Sequence, residues 1–292
     1  MSLRLKFNLV LVVVFLLGLA IASGVFYSIV TANARNEVLQ TARIMMQSAG
    51  AIRAYTDQDI GPLLAPIQAN SEKFLPQTIP FFAAEANFRV LQKDNPDYSY
   101  KEAALNPTNP GDRATDWEAD IINIFRNDPA RTEMTVERQT PAGPTLVLAR
   151  PLQVTDNGCL GCHSTPSAAP ASMIKLYGAA NGFGWKLHEI VGASVVSVPM
   201  AVALHHAWQV FLLFVGVLVI VFLLIMILLN ILLRYMVIGP VTRMSRIAEA
   251  VSLGKMDTEE YEMKGSDEIA SLSASFNRLR RSLEAAMAML DK

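Results

Sequence analysis

Two apolar runs constrain this 292-residue chain more than any other feature. The first goes from Leu9 to Val30, interrupted only by small residues and Tyr27. The second goes from Val210 to Leu233, with Asn230 its single strongly polar member. Each is long enough to cross a hydrocarbon core, which takes ~20 helical residues. A soluble core helix rarely stays apolar on all sides for that length. Trp208 and Tyr235 flank the second run as interfacial aromatics do. Arg4 and Lys6 also make the first run resemble a signal peptide, and Ala20-Ile21-Ala22 reads as a small-x-small cleavage site. The apolar stretch continues to Val30, however, beyond the ~7–15 residues of a signal core, and so predicts an uncleaved anchor. Composition agrees with a membrane protein: 52% of residues are hydrophobic and 17% charged, against a usual charged share of roughly 25%.

Flanking charge sets the topology. Arg4 and Lys6 precede the first span, and Arg234, Arg243 and Arg246 follow the second. Short segments rich in Lys and Arg stay cytoplasmic. Both termini are therefore expected inside, with the intervening segment outside the cytoplasmic membrane of a bacterium. The expected order is a cytoplasmic start (1–7), a span (8–30), a periplasmic domain (31–206), a second span (207–234), a cytoplasmic helical domain (235–285) and a coiled-coil end (286–292). A net charge of −1 leaves no basic field for nucleic acid.

Within the outer domain, Thr31 to Thr56 predicts a helix that can continue the first span. Asn106-Pro107-Thr108-Asn109-Pro110-Gly111-Asp112 is turn chemistry. Ala114 to Phe125 predicts a helix. Glu133–Gln139 and Thr145–Val154 predict a hairpin, and the β-branched Ile190–Val198 predicts a further strand. The fold class expected is α+β.

The chemistry sits in Cys159-Leu160-Gly161-Cys162-His163, which contains both cysteines of the chain. C-x-x-C-H is the attachment pattern of c-type haem. Two thiols three positions apart can each add to one vinyl group, and the adjacent histidine is then held beneath the iron as an axial ligand. A dithiol redox pair and half of a zinc site are the alternatives. Zinc would want further thiol or imidazole ligands, and a redox dithiol does not need His163. One motif implies one covalent haem. The sixth iron ligand stays open at this point. Met45 and Met46 are candidates on the long helix, against a packing role. His188 is an alternative, against a surface or capping role, and an open position would suit gas binding. His205 and His206 adjoin the second span as a solvated pair or a contact for a quinol or a partner.

After the second span, Val237, Val241, Met244, Ala248 and Val251 follow one another at steps of four and three. A polar connector, Lys255 to Gly265, leads to a second seam of Ile269, Leu272, Phe276, Leu279, Leu283, Ala286 and Leu290. These are coiled-coil seams. Pro240 suits a helix start, Gly254 a helix end, and Ser266 a cap for the second helix. Two stripes per chain predict a parallel four-helix bundle in a homodimer, as against a hairpin lying on the membrane or a partner.

Residues Val237–Leu283 resemble a HAMP domain, through Pro240, Gly254, Asp267-Glu268-Ile269 and Phe276-Asn277. The outer domain resembles the Tll0287-like haem c family. That resemblance rests on Arg53-Ala54-Tyr55-Thr56, Asn106-Pro107-Thr108-Asn109-Pro110, Asp116-Trp117-Glu118, Cys159–His163 and Gly192-Ala193. It implies a PAS-like fold and haem ligation by Cys159, Cys162 and His163, and leaves the distal ligand unassigned. The expected function is a membrane-bound, mono-haem redox or gas sensor signalling to a separate cytoplasmic partner. Only nine residues follow Leu283, which admits an alternative: an anchored cytochrome passing electrons to a periplasmic partner. Catalysis at the iron would need a distal acid–base group, for which Glu118, Asp120 and His188 are conceivable. No enzymatic activity is expected.

Overall fold

The computed structural model describes residues 2–255 and 260–290. The centre of the connector and the last two residues of the coiled-coil end lie outside the described residues. The chain divides into two compact units, residues 27–210 and residues 1–26 with 211–292.

The first unit is an α+β domain. Its sheet has four antiparallel strands in the order β1-β4-β3-β2: β1 (Ser99–Ala104), β2 (Met134–Thr140), β3 (Gly143–Gln153) and β4 (Ile190–Pro199). Registers such as Val147↔Ser197 and Glu102↔Ser194 tie β3 and β1 to the two sides of β4. Helices cover both faces. Leu146, Leu148, Val196 and Val198 point to one face and pack under α1 (Leu3–Tyr55) and α3 (Pro80–Asp94). Val147, Ala149, Ala193 and Val195 point to the other and pack on Ile121, Ile122 and Phe125 of α4 (Asp116–Asn127). Successive strand residues face opposite ways, so a segment buried on both faces reads as a continuous apolar run.

Helix α1 carries no proline and runs unbroken through the expected boundary at residue 31. Past the apolar run, its small residues Ala34, Ala42 and Ala49 let the backbone approach the sheet. Arginines pin it at both margins: Arg35 meets Glu137 at 2.8 Å and Arg43 meets Glu133 at 2.9 Å on the β2 side, and Arg53 meets Glu102 at 3.5 Å on β1. A π-helical turn (Thr56–Ile60) and α2 (Gly61–Ala69) follow. Helix α4 opens with a capping box in which Thr115 and Glu118 satisfy each other's end of the first turn. The expected hairpin and final strand are present within one or two residues. Strand β1 was not expected, because Lys101 and Glu102 disguise its alternation.

In the second unit, the two apolar segments pack side by side and antiparallel. Asn8 and Asn230 exchange amide hydrogen bonds, while Phe15 stacks on Phe222 at 3.7 Å and Phe26 on Phe214 at 4.0 Å. The helices that contain them, α1 and α7 (Ala201–Leu232), are long and apolar enough to cross a membrane, with mean hydropathies of 2.9 and 3.6 over their most apolar windows. A π-helical turn leads into α8 (Gly239–Ser252), and α9 (Glu268–Leu290) follows the connector. The cap of α9 is Asp267 rather than Ser266, its Oδ1 accepting from Ala270 N at 2.7 Å. Ser273 and Asn277 turn inward and donate to the carbonyl of Tyr261. The neighbouring seam of Leu272, Leu279 and Leu283 is exposed within the single chain.

Phe125 is wholly buried beneath the sheet. Phe125→Ala is expected to destabilise the domain by about 3–5 kcal/mol, read as a lowered midpoint in denaturant or thermal melts of the full chain.

Candidate functional site

Strand β3 delivers the C-x-x-C-H segment to one end of the sheet. Beyond Gln153 the chain stays tied to the start of β4, Val154 N donating to Glu189 O at 2.9 Å and His188 N to Val154 O at 2.8 Å. Asp156 then accepts from Gly158 N and caps a short helix, α5 (Asn157–His163).

This helix presents the three expected residues together. Cys159 and Cys162 are free, half-buried thiols one helical turn apart. Burial, with Cys159 adding to it, pushes the Cys162 thiol above its ordinary range. Burial also lowers the His163 imidazole, against the pull of its hydrogen bond to Gly182. His163 is therefore held toward its neutral form, which is the form that ligates metals.

Its orientation is over-determined. Nδ1 lies 2.7 Å from the Gly182 carbonyl and 3.4 Å from Thr108 Oγ1. The carbonyl only accepts, so Nδ1 carries the proton and Nε2 keeps the lone pair. The ring lies flat on Trp185, with centroids 3.9 Å apart and planes 10° apart. Trp185 N and Gly184 N in turn donate to the carbonyls of His163 and Ser164. Gly182 has φ +82°, and a Cβ there would collide with Thr108. These three supports were not read from the sequence. The available signals were the turn around Thr108 and the glycine–aromatic run Gly182-Phe183-Gly184-Trp185.

The other candidates stand elsewhere. Met45 and Met46 are buried with Leu146, Leu148, Val196 and Val198 in the core under α1. His188 is exposed at φ +64°, its carbonyl accepting from Gln153 Nε2. Glu118 is consumed by its cap and by Lys101 at 2.8 Å, and Asp120 is exposed. His205 and His206 are exposed on α7, His205 bonded to Gln209. Among the described residues, no group of three or more His, Cys, Asp or Glu side chains is arranged to hold a metal ion. Beyond the motif, α6 (Ala171–Tyr177) meets α2 through Gln68 and Ser172 at 3.4 Å. Leu63 and Ile67 of α2 and Leu176 of α6 are left exposed.

Residues 31–199 match the family model described as Tll0287-like, and the chain belongs to that family. Residues 232–285 match the HAMP domain model. Among solved structures, the chain resembles the crystal structure of the cyanobacterial heme-protein Tll0287. The two are 16% identical, with 56% of this chain and 95% of that one covered and a TM-score of 0.43. No curated protein matches the chain.

Gly182→Ala is expected to cost about 1–3 kcal/mol, because it combines a left-handed backbone with a collision. It should also unseat the His163 hydrogen bond, read as a changed imidazole resonance by nitrogen NMR. The same substitution at Gly161, where a Cβ meets open space, is the control and should leave the resonance unchanged.

Proposed function

We propose that this chain is a membrane-anchored sensor that holds one covalent haem c on its extracytoplasmic, PAS-like domain and signals through a HAMP bundle. The arrangement of His163 carries the reading. It is a half-buried imidazole whose burial favours the neutral form, with its donor nitrogen committed to Gly182 and the lone pair on Nε2, one residue from a half-buried thiol and one helical turn from a second. The donor set suits a haem that Cys159 and Cys162 would tether through thioethers and whose iron His163 would ligate. Bound there, haem would supply a one-electron couple and, wherever its sixth position opens, a site for a diatomic gas.

The protein's own residues do the remaining work. Gly182, Thr108 and Trp185 fix the imidazole plane. The paired segments 154 and 188–189 join the motif to β4, and β4 continues into α7 through Met200, whose N–H is held by the Pro144 carbonyl at 2.8 Å. Helix α1 leaves the same domain toward the other apolar run. Antiparallel packing of the two runs, together with Arg4, Lys6, Arg234, Arg243 and Arg246, supports both termini on the cytoplasmic side. The open seam of Leu272, Leu279 and Leu283 supports a homodimer, since a second chain would bury it. Output passes to a separate cytoplasmic protein.

Full-length protein from cells able to mature c-type cytochromes should give a pyridine haemochrome spectrum of two thioether bonds and one haem per chain. Cys159→Ser with Cys162→Ser should abolish covalent haem, and haem retained through acid-acetone extraction in that variant would overturn the reading. Methionine as sixth ligand is tested by Met45→Leu and Met46→Leu. Both side chains serve the core, so each variant is expected to keep the visible spectrum of the parent. Leu279→Glu is expected to weaken the dimer about tenfold or more by placing a charge in the seam, measured by cross-linking across a dilution series.

A further inference from the structure

The outer part of α1 turns one face to solvent along its whole length beside the sheet. Its opposite side, with Ala42, Met45, Met46 and Ala49, is the side seated in the core. At 3.6 residues per turn, Gln40, Ile44, Gln47, Ala51 and Ala54 all fall on the outward side. All five are exposed, Ile44 by 64%. They follow one another at steps of four, three, four and three, the spacing of a coiled-coil seam.

This outward face carries no charge. A helix with one face in the core normally presents charged side chains on the other. The other two covering helices do so: α3 exposes Arg89, Lys93 and Asp94, and α4 exposes Asp116, Asp120 and Arg126. On α1 the arginines of the stretch, Arg43 and Arg53, are turned aside to Glu133 and Glu102. The remaining exposed residues beside the seam, Ser48, Gly50 and Tyr55, are uncharged as well. Depletion of charge marks the core of an interface between proteins.

The seam also selects its occupant. Two copies sharing one membrane orientation present α1 to α1 in parallel. In such a pair, related by a two-fold axis, each seam residue lies against its own counterpart. A charge there would face a like charge. Ile44 instead meets an isoleucine, and the amides of Gln40 and Gln47, each both donor and acceptor, meet identical amides. We propose that residues 40–54 of α1 pair with the same residues of a second copy as a short parallel coiled coil, so that two outer domains stand back to back on their long helices. The pairing extends the homodimer proposed from the α9 seam and rests on it. Five seam residues are far fewer than the roughly 20–30 residues a side of a stable interface. Chains already joined at α9 bring the two stretches together at high effective concentration.

Photo-cross-linking of the full chain in lipid nanodiscs tests this without using the thiols. p-Benzoylphenylalanine is placed at Ile44, at Leu279 of the α9 seam, or at Val90, which is exposed on α3. Irradiation should join two chains from positions 44 and 279 and not from position 90. With light and heavy nitrogen chains mixed, the link from position 44 should map to residues 37–58 of the other copy. Gln47→Glu should cut that link by about threefold or more, because like charges then face each other. Co-expression with Gln47→Lys chains should restore it in part. A link from 279 without one from 44 overturns the α1 pairing and leaves the homodimer standing, whereas no link from either overturns both. A link from 44 that Gln47→Glu leaves unchanged, or one matched in yield from 90, also overturns the pairing. The haemochrome spectrum of the same samples reports on the haem reading separately, so either can fail alone.

Discussion

The pairing of β4 between β1 and β3 is the constraint on which the rest depends. Three stretches distant in sequence end at the same edge of that ladder: the turn after β1, the motif after β3, and the loop before β4. Thr108, His163 and Gly182 come from these three stretches and meet around one imidazole. No local preference could assemble them, since each short segment has little order of its own. The ladder supplies the order, and the hydrogen bond to Gly182 converts it into a fixed tautomer.

Burial on both faces explains why the ladder is firm. Alternate residues of β3 and β4 feed two separate cores, one under α1 and α3 and the other under α4. Small residues on α1 permit close approach, and arginines at the margins oppose sliding. The pairs of Arg35 and Arg43 are partly exposed, so they contribute modestly to stability and chiefly select a position along the sheet. The same helix continues into the first apolar run, and β4 continues into the second.

The polar residues divide by burial. Glu118 is as buried as Glu102, yet it is satisfied by a helix cap and a lysine at 2.8 Å. Glu102 has an arginine at 3.5 Å and two hydroxyls. Desolvation therefore pushes the Glu102 carboxyl up to about 7 against the pull of Arg53.

Much of this protein was legible in its residues. The apolar runs, the C-x-x-C-H pattern, the β2–β3 hairpin, strand β4 and the seams of α8 and α9 follow from periodicity, composition and spacing, which are local properties. Strand β1 was hidden because its inward residue at position 102 is a glutamate, and burial of a charge has no signature in sequence. The cap of α9 moved from Ser266 to Asp267, since two adjacent capping residues are equivalent until the backbone turns. The supports of His163 and the seating of Met45 and Met46 against the sheet were decided only by tertiary structure. Sequence determined which side chains could bind, span or pair. The antiparallel ladder determined which of them meet, because contacts between residues dozens of positions apart depend on strand register and helix approach rather than on any neighbour in the chain.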